Sequence, residues 1–459
     1  MDDYRDDLQW RLCWTGWSVH SGGWPAAGSP MTGLVKVNPR IFQLITMKNY
    51  INLAIIAVLF ASLYGPVTRQ LKVLGAFRSA SETSSSQSNP VHPIADTIQC
   101  EDLHYHHPSG QLFTACEDSI VPRFRWFPPL VNFDGPADTT GSIHVIDPQT
   151  LKSTRLTFEN FSGPFITHGI DVTEDPERAD AVYIFAVNHL ANPDYHPGLK
   201  DIPKARSQVE LFHHVLHSGT VRHVRSIRHP LVATPNDIYA ESPYSFYVTN
   251  DHRYRDGALR AVENILPAAK WSTVIHVQVD SLAAVPADTE RKATVAFEHI
   301  WNANGLGHGS SREEVLLTSA VGGYMWRMRP QDDHTLSVVD EFAFDSTIDN
   351  PTYYQDPYAT ATDDASGYVQ AGLLRGVDLD KTRADPQGKD GAMVWYTRRK
   401  AGTSPAEWET RLLFEDDGSR IRSASAAVLV PLPEQQQKKA RLFVTGFVSE
   451  GMIAVDVTL

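Results

Sequence analysis

Cysteine is scarce: Cys13, Cys100 and Cys116 are the three in a chain of 459 residues, and no CxxC pair occurs. That excludes a scaffold built on disulfides and a cysteine-ligated zinc cluster, and leaves room for one bridge. Cys100 and Cys116 flank DLHYHHPSGQLFTA, which reads as strand, turn and strand. A bridge between neighbouring strands is reachable there in an oxidising compartment; two free strand thiols are the alternative. Positive charge is also lacking, since 41 Lys and Arg stand against 54 Asp and Glu for a net charge of -13. Such a balance argues against a nucleic-acid partner. Neither a GxSxG nucleophile elbow nor a Walker motif occurs, which removes the commonest serine-hydrolase and P-loop routes.

Long apolar runs are missing too. The one short run, Ile51 to Tyr64, has Lys48 before it and Arg69 and Lys72 behind it. It falls below the ~20 residues that span a bilayer, so a signal-peptide core or signal anchor is expected over residues 47–78, with a buried core helix as the alternative. Residues 1–46 show no period and read as an unpatterned extension ahead of a start at Met47, and 79–99 reads as a Ser/Pro-rich linker. This organisation implies a membrane-anchored or secreted protein facing the secretory lumen or the exterior, where Asn160 in Asn160-Phe161-Ser162 is a glycosylation candidate.

From residue 100 to 459, short β-rich stretches such as SIHVIDPQT, ADAVYIFAVNH, STVIHVQVD and MIAVDVTL alternate with turn sequences such as HPSG, DPQG and DDGS. Helical periodicity is confined to Gly257–Lys270. An all-β fold follows, and with no linker dividing the stretch, one propeller is simpler than several sandwiches. Five polar clusters lie beside strands: Glu101-Asp102, His168-Gly169-Ile170, Pro235-Asn236-Asp237-Ile238, Asn302-Ala303-Asn304-Gly305 and Asp349-Asn350-Pro351. Each alone is ordinary turn chemistry. Their spacings of 67, 68, 68 and 45 residues, however, approach the length of a four-stranded blade. One cluster at the start of each inner strand would converge on a central tunnel, and carboxylates mixed with amide oxygens suit calcium better than magnesium or zinc.

The ordered set THGIDV, VNH, QVELFHH, IRHPL, PNDIYA and SFYVTNDH, running from Thr167 to His252, resembles the serum paraoxonase/arylesterase family of calcium-dependent lactonases. ASAAVLVPL and RLFVTGF resemble that family's closing strands. The resemblance implies a six-bladed β-propeller with an N-terminal hydrophobic anchor helix and two calcium ions in the tunnel. It implies catalytic-calcium ligands at Glu101, Asn236, Asn304, Asp349 and Asn350. A structural calcium would take the side chains of Asp102 and Asp237 and the carbonyls of Leu103 and Ile170. A catalytic histidine dyad would be His168 and His189, with Asp251 and His252 nearby as supporting or substrate-wall residues. The family's carboxyl-terminal cysteine is missing, so strand pairing must close the ring and a Cys100–Cys116 bridge would be local. The stretch from Asp349 to Ile421 and an insertion in NHLANPDYHPGLKDIPKARS depart from the family pattern, where substrate loops are expected.

The implied chemistry is hydrolysis of a lactone or aryl ester, with calcium polarising the carbonyl and neutral His168 activating water. A propeller that keeps its calcium only to bind other molecules is the alternative. A gluconolactonase-type or strictosidine-synthase-like enzyme fits the motif order less well. His104, His106 and His107 in HYHHPSG hint at zinc but read as a solvated hairpin tip without a fourth ligand, and LFHHVLH reads as a strand.

Overall fold

The computed structural model describes residues 39–79, 89–199, 202–289, 291–400, 407–433 and 438–459. Most of the 1–46 extension and the Ser-rich part of the 79–99 segment lie outside them. The chain divides between Leu63 and Tyr64. Ahead of that point runs most of one helix, Pro39–Val73, which carries Pro66 near its end. Leu53, Ile55, Val58 and Leu63 on it are exposed. No helix among the described residues is long and apolar enough to cross a membrane.

Among the described residues the second unit contains six sheets of four or five strands, antiparallel apart from the parallel edge pairing of Thr157–Glu159 with Thr220–Ile227, and a separate two-stranded sheet. Innermost strands such as Thr167–Asp175 and Pro235–Ser242 are almost wholly buried, while outer strands such as Thr220–Ile227 and Leu336–Ala343 mix buried and exposed positions, as expected for a blade that packs tightly inside and meets water outside. The innermost strands are Leu103–His106, Thr167–Asp175, Pro235–Ser242, Ala303–His308, Pro351–Tyr354 and Ala424–Pro431. Each contacts the next and the last contacts the first, which makes a ring of six blades. Apolar layers fill the space between blades; Phe113, Ile143, Ile184 and Phe212 form one of them, and all four are fully buried.

Ring closure depends on hydrogen bonding. Val91–Ile94 pairs antiparallel with Met452–Thr458 at the outer edge of the final blade, so the propeller begins before Cys100. VHPI is too short to show a strand period in its Pro- and Ser-rich surroundings, and its partner lies some 360 residues away. A bridge between Cys100 and Cys116 joins the approach to the first inner strand to the strand beside it. A short helix, Ala258–Ile265, falls within the expected helical stretch.

Candidate active site

Glycine lets the inner strands approach one another, Gly169 and Gly305 among them. A Cβ on Gly169 would lie 2.4 Å from Asp237 Oδ1, and one on Gly305 would lie 2.5 Å from the Cα of Asn350. Both would force the ring open where its polar residues meet.

Glu101, Asn236, Asn304, Asp349 and Asn350 lie at the amino-terminal ends of inner strands, and Asn350 Nδ2 donates to Glu101 Oε1 at 3.0 Å. In each, one buried side-chain oxygen has no hydrogen-bond partner: Glu101 Oε2, Asn236 Oδ1, Asn304 Oδ1, Asp349 Oδ1 and Asn350 Oδ1. Leaving a buried oxygen unpaired costs ~1–3 kcal/mol, more if it is charged. Five from four blade junctions form a set that a hard cation would satisfy, since calcium takes oxygen ligands and tolerates amides beside carboxylates. Burial first, then the Asp349 and Asp102 charges, raises the Glu101 carboxyl well above its usual range. Burial followed by Asp102 does the same to Asp349. Among the described residues Asp349 has no compensating positive charge nearby, and for Glu101 the opposing pull of Arg123 is outweighed by burial and the neighbouring carboxylates.

One residue further along the strands, Asp102 and Asp237 are already engaged. Asp102 accepts the backbone N–H of Leu103 at 2.8 Å and of Ile170 at 3.1 Å on separate oxygens. Asp237 likewise accepts from Ile238 and Leu306, both at 2.7 Å. These bonds tie neighbouring inner strands together, so this pair has a structural role irrespective of any ion.

His168 stands beside the oxygen set, its Nε2 3.9 Å from Glu101 Oε1. Its Nδ1 lies 3.1 Å from His189 Nε2, and His189 Nδ1 lies 2.8 Å from Ser207 Oγ. Burial, followed by the charge of Arg123, lowers His168 to about 3. Burial, then His168, pushes His189 well below its ordinary value. Both rings are therefore neutral at physiological pH. Phe127 presents its face or edge to both at 5.1 and 5.7 Å, and Trp126 Nε1 donates to the His189 carbonyl at 2.9 Å. Asp251 shares a narrow cleft with His189 and Ser207. Burial would raise its carboxyl, but Arg260 and His252 hold it below the usual carboxylate range. His252 in turn meets Asn264 Oδ1 at 2.6 Å. Asn160 is exposed on a bend shortly before the strand that carries His168.

Several contributors escaped sequence reasoning. Arg123, Glu117, Phe127 and Ser207 belong to no motif. More systematic is a threonine on the second strand of four blades. Thr114 Oγ1 donates to the Asp102 carbonyl at 2.6 Å, Thr249 Oγ1 to the Asn304 carbonyl at 2.6 Å, and Thr445 Oγ1 to the Glu101 carbonyl at 3.0 Å. Thr318 Oγ1 accepts the Gly305 N–H at 2.9 Å. The pattern was present as FTAC, YVTN, LLTS and FVTG, one threonine after apolar residues near a strand end.

Six blades around a central axis, with buried unpartnered oxygens and a paired histidine at the strand ends, define a six-bladed propeller. The Arylesterase family model matches residues 119–360, more than half the chain, and the protein belongs to that family, the serum paraoxonases and arylesterases. "Serum paraoxonase/arylesterase 2" of Gallus gallus is 29% identical over 188 residues, covering 41% of this chain and 46% of that protein. "Serum paraoxonase/lactonase 3" of Oryctolagus cuniculus is 22% identical over 306 residues, covering 66% of this chain and 74% of its own length. Against the first of these and most of the others, the chain spans about half the length of the curated relatives it matches. Among solved structures, a luciferin-regenerating enzyme aligns over 81% of this chain and 97% of its own at 12% identity, with a TM-score of 0.42.

Proposed function

We propose that the protein is a calcium-dependent hydrolase of lactones and aryl esters. The observation that carries this reading is five buried, unpartnered oxygens, from Glu101, Asn236, Asn304, Asp349 and Asn350, at the same ends of the inner strands as a buried histidine pair. Calcium bound by these oxygens would supply positive charge to polarise an acyl carbonyl and stabilise the oxyanion that develops. His168 Nδ1 faces His189, and the neutral His168 ring is the proposed acceptor of a proton from attacking water. His189 then orients the ring and passes charge toward Ser207 through its own Nδ1. Phe127 keeps bulk water off both imidazoles, which favours their neutral, proton-accepting form. The product is a hydroxy acid, or an acid and a phenol.

A second ion would share Asp102 and Asp237 through the lone pairs their amide partners leave free, with the carbonyls of Leu103 and Ile170 as further donors. The proposed compartment is the secretory lumen or the exterior, where the Cys100–Cys116 bridge is stable and Asn160 is open to glycosylation. Residues 47–78 are proposed as the targeting segment and membrane anchor, testable by alkaline carbonate extraction.

Hydrolysis of a lactone panel and phenyl acetate, before and after chelation, tests the reading. Activity lost on chelation and restored by calcium is expected. A chain that binds calcium yet turns over none of these substrates would instead be a calcium-stabilised binding propeller.

A further inference from the structure

At the far end of the same tunnel the lining changes character. Two residues beyond Asp102, His104 turns inward from its strand instead of sitting at a hairpin tip, and its Nδ1 lies 2.7 Å from Asp171 Oδ1. From the fourth blade, His308 places Nε2 2.8 Å from Asp171 Oδ2. His106 takes no part, since its Nδ1 meets Ser109 Oγ at 2.8 Å. The ligand the HYHH sequence lacked therefore comes from other blades.

Three features distinguish this cluster from a simple hydrogen-bonded trio. Asp171 already accepts backbone N–H groups from Val172 at 2.8 Å and Ala240 at 2.6 Å, one on each oxygen, so its charge is fixed in place without either imidazole. Carboxylates and imidazoles oriented by a surrounding shell of this kind are characteristic of built metal centres. The His308 ring is packed on Tyr239 at 4.3 Å and meets His104 edge-on at 5.5 Å, which fixes the approach of both nitrogens. The candidate ligand atoms all lie within 4.8 Å of one another. Finally, the cluster borders a cavity of about 320 Å³ that also includes Tyr105, Tyr239, Arg312 and Tyr353. A small molecule or water can therefore reach the ligands.

We propose that His104, Asp171 and His308 bind one zinc-class divalent ion at this wide mouth, separate from the oxygen set around Glu101. Two imidazole nitrogens and one carboxylate match zinc, which takes nitrogen at ~2.0–2.1 Å and keeps a position open in catalytic sites. They mismatch calcium, whose ligands are oxygens. The open position faces the cavity and would take an anionic or carbonyl-bearing ligand.

The test uses the full chain saturated with calcium, exposed to zinc, dialysed, and measured for both metals by mass spectrometry. About one zinc per chain is expected in the unaltered protein. His308→Gln, at a partly exposed position, should reduce zinc at least tenfold while calcium content and melting temperature stay unchanged. His276→Ala, in the separate Glu241–His276–His334 cluster, should leave the zinc intact. Cobalt in place of zinc should give a visible absorption band that His308→Gln abolishes. Acylation of His308 by diethyl pyrocarbonate in the unaltered protein should slow when zinc is present, a readout that needs no variant. Equal zinc in the unaltered and His308→Gln proteins, zinc lost with His276→Ala instead, or no zinc protection of His308 would each overturn the proposal.

Discussion

Arg123 and Glu117 form an ion pair at 2.8 Å with both side chains wholly shielded from solvent. The same guanidinium nitrogen donates to the Thr167 carbonyl at 2.6 Å and hydroxyl at 2.8 Å, while the other terminal nitrogen reaches the Phe447 carbonyl at 2.9 Å. Glu117 in return accepts the Thr167 N–H at 3.2 Å. The pair thus clamps the residue before His168 from both sides. Removing one partner of a buried pair leaves an unpaired charge, at a cost of about 3–5 kcal/mol. Arg123→Met should therefore lower unfolding free energy by that amount in urea titrations. The double variant Glu117→Gln, Arg123→Met should recover part of it, since the two residues are coupled.

The five orphaned oxygens predict metal retention directly. Glu101→Gln removes a charge but keeps the shape, and Asn236→Ala removes an oxygen altogether; both should weaken calcium binding at least tenfold, as measured by chelator competition. Asp102→Asn should act differently. Its two backbone bonds at 2.8 and 3.1 Å join the strands Leu103–His106 and Thr167–Asp175, so loss of thermal stability in calcium-free buffer is the expected signature.

Much of this was legible in the sequence. Carboxylates and amides spaced at blade intervals marked Glu101, Asn236 and Asn304, because a propeller repeats one topology and brings equivalent strand ends to one axis. The Cys100–Cys116 pairing was legible because only two strands and a turn separate the thiols. What remained hidden depends on contacts across the ring. Arg123 sits in a helix of six residues that carries no motif. His308 follows a glycine on a strand with nothing to tie it to Asp171, 137 residues earlier. Val91–Ile94 has only four residues in which to show alternation.

Threonine hydroxyls on the second strands offer a further test. Thr249 Oγ1 accepts the Asp237 N–H at 3.0 Å and donates to the Asn304 carbonyl at 2.6 Å, joining two blades behind the oxygen set. Thr249→Val keeps the volume while removing both bonds and leaves a buried N–H and carbonyl unpaired. Destabilisation of about 1–3 kcal/mol is expected, with calcium affinity falling in parallel because Asp237 and Asn304 lose their shared brace. Calorimetric unfolding with and without calcium would separate the two effects.

His144 supplies a pH dependence remote from the tunnel. Its ring is buried between Ser142 Oγ at 2.8 Å and Ser153 Oγ at 2.9 Å. Burial, outweighing the opposite pull of Asp96, lowers its pKa from 6.5 to about 4. Between those values the unfolded chain binds a proton that the folded chain refuses, so stability rises with pH across this window. The contribution is complete above the unfolded value, is lost progressively as pH falls from 6.5 towards about 4, and then levels off. At ~1.4 kcal/mol for each pH unit separating the folded from the unfolded value, the loss is on the order of 3 kcal/mol. His144→Gln keeps a polar group between the two serines but cannot titrate. The difference in unfolding free energy between the unaltered protein and this variant should shrink by that amount on acidification, while acid effects of the tunnel carboxylates, common to both, cancel. Parallel stability curves from pH 7 to pH 4 would show that His144 is not buried in its neutral form.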